Sequence, residues 1–254
     1  MNETEEYLIS DLGDIRKRAV LLAAERFPKL HTEAIFSGLK HELEKDPNGK
    51  QVDIKRNNPI TTELVMSDAI IVLKDGVKLN YNICKAFRSH NLLVIKAGSE
   101  SFDFRDFKLL LGEAFIHASK AKIDLENVTT SAILIDRPEK LFQDLNERAS
   151  FYPMKTVSKG LVHIQVCGFL VQLVMCKELR YEENLWLRAY AEDKPDQNAC
   201  EAIIREASQE PSEIEAYMKL FLKKEAVWKF FKDEINMSEA DKNKLLKAVG
   251  VKAE

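Results

Sequence analysis

The sequence predicts an α/β protein: a central sheet flanked by helices over residues 1–180, followed by a helical region over 181–254. Three observations predict it. Strand-length and helix-length apolar patterns alternate between Gln51 and Met175. Of the 254 residues, 45% are hydrophobic and 31% charged, with 9 Gly and 7 Pro, a balance that buries a sizeable core. No strand pattern occurs after Tyr181.

The elements follow in order. Between Asp11 and Phe27 the residues Leu12, Ile15, Ala19, Leu22, Ala23 and Phe27 recur at three- and four-residue steps, marking one face of a helix that Pro28 ends or kinks. Thr32 caps a second helix to Lys45 that buries Ile35, Phe36, Leu39 and Leu43, and Asp46-Pro47-Asn48-Gly49 supplies a turn. Gln51 to Arg56 alternates as a strand. Glu63 to Lys74 is a second strand, apolar along most of its length and interrupted by Asp68. After the Asp75-Gly76 turn, Asn82 to His90 predicts a short helix, and Asn91 to Lys96 a third strand.

Phe104 to Lys122 is helical, with Phe107, Leu110, Leu111, Ala114, Phe115 and Ala118 as its apolar stripe. A strand over Thr129 to Asp136 and a helix over Pro138 to Arg148 come next, the proline suiting the first turn. Gly160 to Val166 and Phe169 to Met175 form two further strands, joined at Cys167-Gly168 by a hairpin or a bulged edge. Helices over Glu182–Ala191, Gln197–Ser208, Ser212–Phe221, Trp228–Ile235 and Glu239–Val249 complete the chain, with Ser212 and Ser238 as caps.

With 38 basic and 41 acidic residues the formal charge is −3, which excludes a generally basic nucleic-acid coat. No window reaches the roughly 18 apolar residues of a membrane span. The acidic Met1–Asp14 segment lacks the pattern of a secretory signal, so no membrane association and a cytoplasmic location are expected. Cys84, Cys167, Cys176 and Cys200 contain no CxxC and are expected to be buried free thiols. The five histidines form no HxxxH or HExxH pair, which argues against a structural zinc site.

Asp68 and Lys96 carry the chemistry. An ionisable side chain within a core strand is costly unless it is paired, hydrated in a cleft or bound to a metal. A carboxylate on one strand and a lysine ending the next, with a helix following at once, is the arrangement in which carboxylates hold a hard cation and the lysine orients the attacking water. A structural Asp68–Lys96 ion pair accounts for the same residues.

At these positions the chain resembles the PD-(D/E)xK nuclease-like superfamily. Within it, the chain is similar to the uncharacterised transposase- or recombination-promoting-nuclease-like proteins of Gram-positive bacteria. The likeness runs from about Glu33 to Asp193. It is clearest in Ser67-Asp68-Ala69-Ile70-Ile71-Val72, Ile83 through Lys96, Asp103 through Ala114, and from Cys176-Lys177-Glu178-Leu179 to Trp186-Leu187. The resemblance implies a restriction-endonuclease-like core with a mixed central sheet, Mg2+ as cofactor where the centre is active, and DNA or RNA as partner.

Such proteins carry Glu-x-Lys in the third strand, whereas this chain reads Val94-Ile95-Lys96. The missing acid is supplied from the following helix in some members of the superfamily, and Glu113, beside Gly112, is the candidate here. The metal ligands implied are then Asp68 and Glu113. Glu113 also reads as a helix-edge carboxylate reaching solvent, the more ordinary role for a carboxylate on a helix. Glu100, Asp103 and Asp106 suit capping and solvent exposure as well as catalysis. Lys85, Arg88, Arg105 and Lys108, with His90, Lys120 and Lys122, are candidate phosphate contacts or a solvated face. In the tail, Trp186, Trp228, Phe230 and Phe231 are expected to pack helices.

Three functions follow. One is a nuclease-fold protein with a degenerate centre that binds nucleic acid or regulates a protein partner, which Val94 favours. The second is a Mg2+-dependent phosphodiesterase built on Asp68, Glu113 and Lys96. The third is a protein-interaction or inhibitor module encoded by a mobile element.

Overall fold

The computed structural model describes residues 35–49, 52–56, 67–96, 101–192, 196 and 198–203. Helix α1 covers residues 35–45. Strands β1 (Val52–Arg56), β2 (Ala69–Leu73) and β3 (His90–Lys96) follow, then helix α2 (Phe104–Ala121), β4 (Val128–Leu134) and α3 (Glu139–Glu147). Strands β5 (Met154–Ser158), β6 (Leu161–Val166) and β7 (Phe169–Met175) lead into α4 (Tyr181–Ala191). The helix expected over Asp11–Phe27, the Glu63–Met66 part of the second strand, the caps Thr32, Ser212 and Ser238, Glu100, and the tail beyond Ile203 lie outside the described residues.

One seven-stranded sheet results, in the order β1-β2-β3-β4-β7-β6-β5. It is mixed: β3 runs parallel to β4 and β4 to β7, while the other neighbours are antiparallel. Alternation along the strands feeds two cores. Ala69, Ile71, Leu93 and Ile95 pack with Ile35 and Leu39 of α1 and Trp186 of α4. Ile70, Leu92 and Ala132 pack with Phe107, Leu110 and Ala114 of α2 and Leu141 of α3. All four residues expected on the inner face of α1 are buried.

Asp46 then ties α1 to the loop beyond β2. Its carboxylate accepts the backbone N–H of Asn48 and of Tyr81, each at 3.0 Å, and also that of Asn80. Burial raises its pKa, but these three N–H groups outweigh that and hold it below the usual value.

Three elements differ from expectation. Strand β2 begins only at Ala69, so Asp68 stands half-buried just before the strand and does not interrupt its core. Only a 3-10 turn, Asn82–Cys84, forms where a helix over 82–90 is expected. The buried Asn91 side chain claims the backbone there: its Oδ1 accepts from Arg88 N at 2.8 Å and its Nδ2 donates to Arg88 O at 2.6 Å. Strand β5 is an addition to the expected set. Its central residues are exposed, so it lacks the apolar alternation that would announce it.

Cys167-Gly168 forms a hairpin, with φ of 45° and 90° and Val166 paired to Phe169. That turn exposes Cys167, correcting the expectation of four buried thiols, while Cys84, Cys176 and Cys200 are buried. Burial pushes the Cys176 thiol up to about 12 and raises that of Cys84 as well, so both are poor nucleophiles. Among the described residues no helix is long and apolar enough to cross a membrane.

Gly112 lies inside α2, and a Cβ added there meets no atom within 4 Å. Gly112→Ala is therefore expected to stabilise the protein by about 1 kcal/mol, the usual helix-interior difference. Urea unfolding would check it; a fall in the midpoint would show that another group packs on that spot.

Candidate functional site

The β2–β3 ladder ends at Asp68 for a specific reason. Ala69 pairs with Leu93, so one further step sets Asp68 opposite Val94. There the Asp68 side chain, in place of a main-chain carbonyl, accepts the N–H of Ile95 at 2.7 Å. Residue parity gives Asp68 the face of Ile70 and Val72, and Lys96 that of Leu92 and Val94. Both belong to the side of the sheet on which α2 packs.

Helix α2 starts beside Lys96. Asp103 caps it, its Oδ1 accepting from Arg105 N at 2.7 Å and Asp106 N at 3.1 Å, and Asp106 Oδ2 accepts from Asp103 N at 3.1 Å in return. The N–H groups of Asp106 and Arg105 hold the Asp103 carboxyl below its usual range. Asp106 also stands 3.9 Å from Lys96 Nζ through Oδ1. Asp106 is thus one carboxylate at ion-pair distance from the lysine. The capping expectation for Asp103 and Asp106 holds.

Two turns along α2, Glu113 is only 1% exposed, which corrects the expectation of a carboxylate reaching solvent. Ser67 Oγ donates to Glu113 Oε2. Burial raises the Glu113 pKa, the Ser67 bond opposes that, and the charge of Asp68 raises it again. The two carboxylates therefore lie within electrostatic reach of each other, and the side chain next to one is hydrogen-bonded to the other. No protein-family model matches the chain, and neither does any curated protein or solved structure.

Farther along the same helix, His117 Nε2 lies 2.9 Å from Nδ1 of His90, the first residue of β3. The seam between α2 and the sheet thus carries Asp106 beside Lys96, Glu113 beside Ser67 and Asp68, and His117 beside His90. No short histidine spacing announces this pair, because 27 residues separate its members. The signal was present in periodicity: His117 is four residues after Glu113 on the helix, and His90 shares the strand face of Lys96.

The candidate basic residues do not converge. Arg105 and Lys108 are exposed near the start of α2, at the Lys96 end of β3. Lys85 and Arg88 precede β3 and lie at its opposite end, about 20 Å away along the strand. Arg88 is committed to structure, its guanidinium donating to Glu126 O and, at 3.3 Å, to Gly168 O. Lys120 and Lys122 stand about 22 Å or more along α2 from Arg105. A cleft of about 400 Å³ opens at the carboxyl ends of β3 and β4, lined by Lys96, Asp103, Asp136, Arg137 and Lys140 among others. That is where ligands commonly sit on open α/β sheets.

Asp68 and Glu113 are the carboxylates expected from the sequence as cation ligands. Among the described residues no group of three or more His, Cys, Asp or Glu could hold a metal ion. Mg2+ does not require one, because it keeps several waters and takes one or two carboxylates together with substrate phosphate oxygens.

Proposed function

We propose that this protein is a divergent Mg2+-dependent phosphodiesterase acting on nucleic acid, with a PD-(D/E)xK-like, restriction-endonuclease-like core. In this reading Glu113 replaces the strand carboxylate that Val94 has removed. The observation that carries it is the placement of buried Glu113 against Ser67-Asp68, with Lys96 on the same face of the sheet. The mixed sheet, the carboxylate opening β2, the lysine ending its antiparallel neighbour and the helix that follows support the core assignment.

Asp68 and Glu113 would hold the cation, which supplies charge stabilisation and lowers the pKa of an attacking water. The Ile95 N–H holds one Asp68 oxygen and the Ser67 hydroxyl one Glu113 oxygen, which orients both carboxylates. Lys96 orients the water and offsets negative charge as the phosphodiester is attacked, and Asp106 holds its ammonium at the mouth of the cleft. Arg105 and Lys108 flank that end and would contact substrate phosphates.

The test is cleavage of end-labelled single- and double-stranded DNA and RNA by the pure protein with Mg2+ or Mn2+. Asp68→Asn and Lys96→Ala are each expected to lower the rate by roughly 100-fold or more while binding persists. The second reading, a degenerate binding or regulatory protein, rests on the deep burial of Glu113, which limits its access to a cation. Tight binding with no cleavage by the wild type under any of these conditions would establish that reading and overturn the first.

A further inference from the structure

We propose that His90 and His117 form a binding site for an imidazole-preferring divalent transition cation, Zn2+ or Cu2+, bridging β3 and α2. The two side chains come from elements with no sequence proximity, yet their ring nitrogens approach to 2.9 Å, with centroids 5.1 Å apart and planes inclined by 48°. Both residues are half-buried. At this separation one nitrogen donates and the other accepts, so the pair is made with at least one ring neutral, and the neutral ring is the form that ligates metals.

Two imidazoles on one tetrahedral Zn2+, each at 2.0–2.1 Å, stand about 3.3 Å apart through their ligating nitrogens. To admit the ion the nitrogens part by a few tenths of an ångström, each ring turns so that both lone pairs face it, and the donor ring carries its proton on its other nitrogen. Water completes the coordination, since no third His, Cys, Asp or Glu of the described residues joins the pair. The pair is chemically distinct from Asp68 and Glu113, because imidazole selects Zn2+ and Cu2+ while carboxylate oxygens suit Mg2+. The two sites are adjacent on α2, where His117 follows Glu113 by one turn, and they diverge on the sheet, where His90 and Val94 are about 13 Å apart along β3. The bound cation clamps the helix that carries Glu113 onto the strand that carries Lys96.

The experiment is calorimetric titration of the full chain with Zn2+, in a Cys167→Ser background so that the exposed thiol does not compete. One equivalent is expected to bind and to raise the melting temperature. His90→Gln and His117→Gln should each weaken binding by about tenfold or more. Asp68→Asn should leave it unchanged, which separates this site from the cleavage centre whatever that centre does. Equal affinity in the histidine variants, or loss of binding in Asp68→Asn, would overturn the proposal. Electron paramagnetic resonance of the Cu2+-loaded protein needs no folded histidine variant: nitrogen superhyperfine coupling is expected, and a spectrum of oxygen ligands alone sinks the assignment.

Discussion

Glu113→Gln is expected to abolish Mg2+-dependent cleavage, by roughly 100-fold or more, while raising the melting temperature of the metal-free protein at pH 7 by a few degrees. The opposite signs follow from one arrangement. Burial and the charge of Asp68 disfavour the ionised carboxylate, and the Ser67 bond compensates only in part, so the folded pKa lies above the usual value of 4.5. The native state therefore binds more protons than the unfolded chain between 4.5 and the raised value. Stability falls as pH rises through that window, and the loss persists at neutral pH.

Glutamine retains an oxygen to accept from Ser67 but carries no charge, so this pH-dependent loss disappears in the variant. Thermal melts at pH 4 to 8 in the presence of a chelator would check it. A variant less stable than wild type at pH 7, with the pH slope unchanged, would mean that the carboxylate is a net structural support. A residue that costs stability and is needed for turnover is the pattern expected of a functional group.

The second large effect falls on Gly160. It turns from β5 into β6 with φ of 76°, and a Cβ there would stand 2.8 Å from both Met175 O and Leu179 N and 2.9 Å from Glu178 C. All three are backbone atoms, and Met175 N already donates to Gly160 O at 2.8 Å, so neither strand end yields easily. Gly160→Ala is expected to cost about 3 kcal/mol or more, combining left-handed strain with displacement of the β7–α4 junction. The melting temperature should fall by roughly 6–12 °C. A change of less than about 1 kcal/mol in urea unfolding would show that the junction relaxes freely.

The legible parts of the fold were those whose local pattern and final environment agree. Helix α2 is legible from Phe107, Leu110, Ala114 and Ala118 because these four are buried, although Phe115 of the same expected stripe is exposed; β2 and the centre of β3 are legible as apolar runs. The segment after Tyr81 was misread because Asn91, a residue beyond it, takes its backbone groups. Strand β5 gave no signal because an exposed edge buries little. In the candidate site, Asp68 and Lys96 are legible from residue type and position and Glu113 only through the resemblance, while the burial of Glu113 is not legible at all. Helical spacing places residue 113 at the margin of the apolar stripe, and whether that margin is covered depends on where Ser67 arrives from another part of the chain. The His90–His117 contact, across 27 residues, is of the same tertiary kind.

Because three of the four thiols are sealed within the protein, the hairpin tip at Cys167 gives the wild-type molecule a single chemically addressable point. A fluorophore placed there by maleimide chemistry sits beside Gly168, to which Arg88 is bonded, and hence at the opposite end of β3 from Lys96. The unmodified sequence therefore already carries a fixed vantage from which the approach of a dye-labelled oligonucleotide to one end of the sheet or the other is distinguishable.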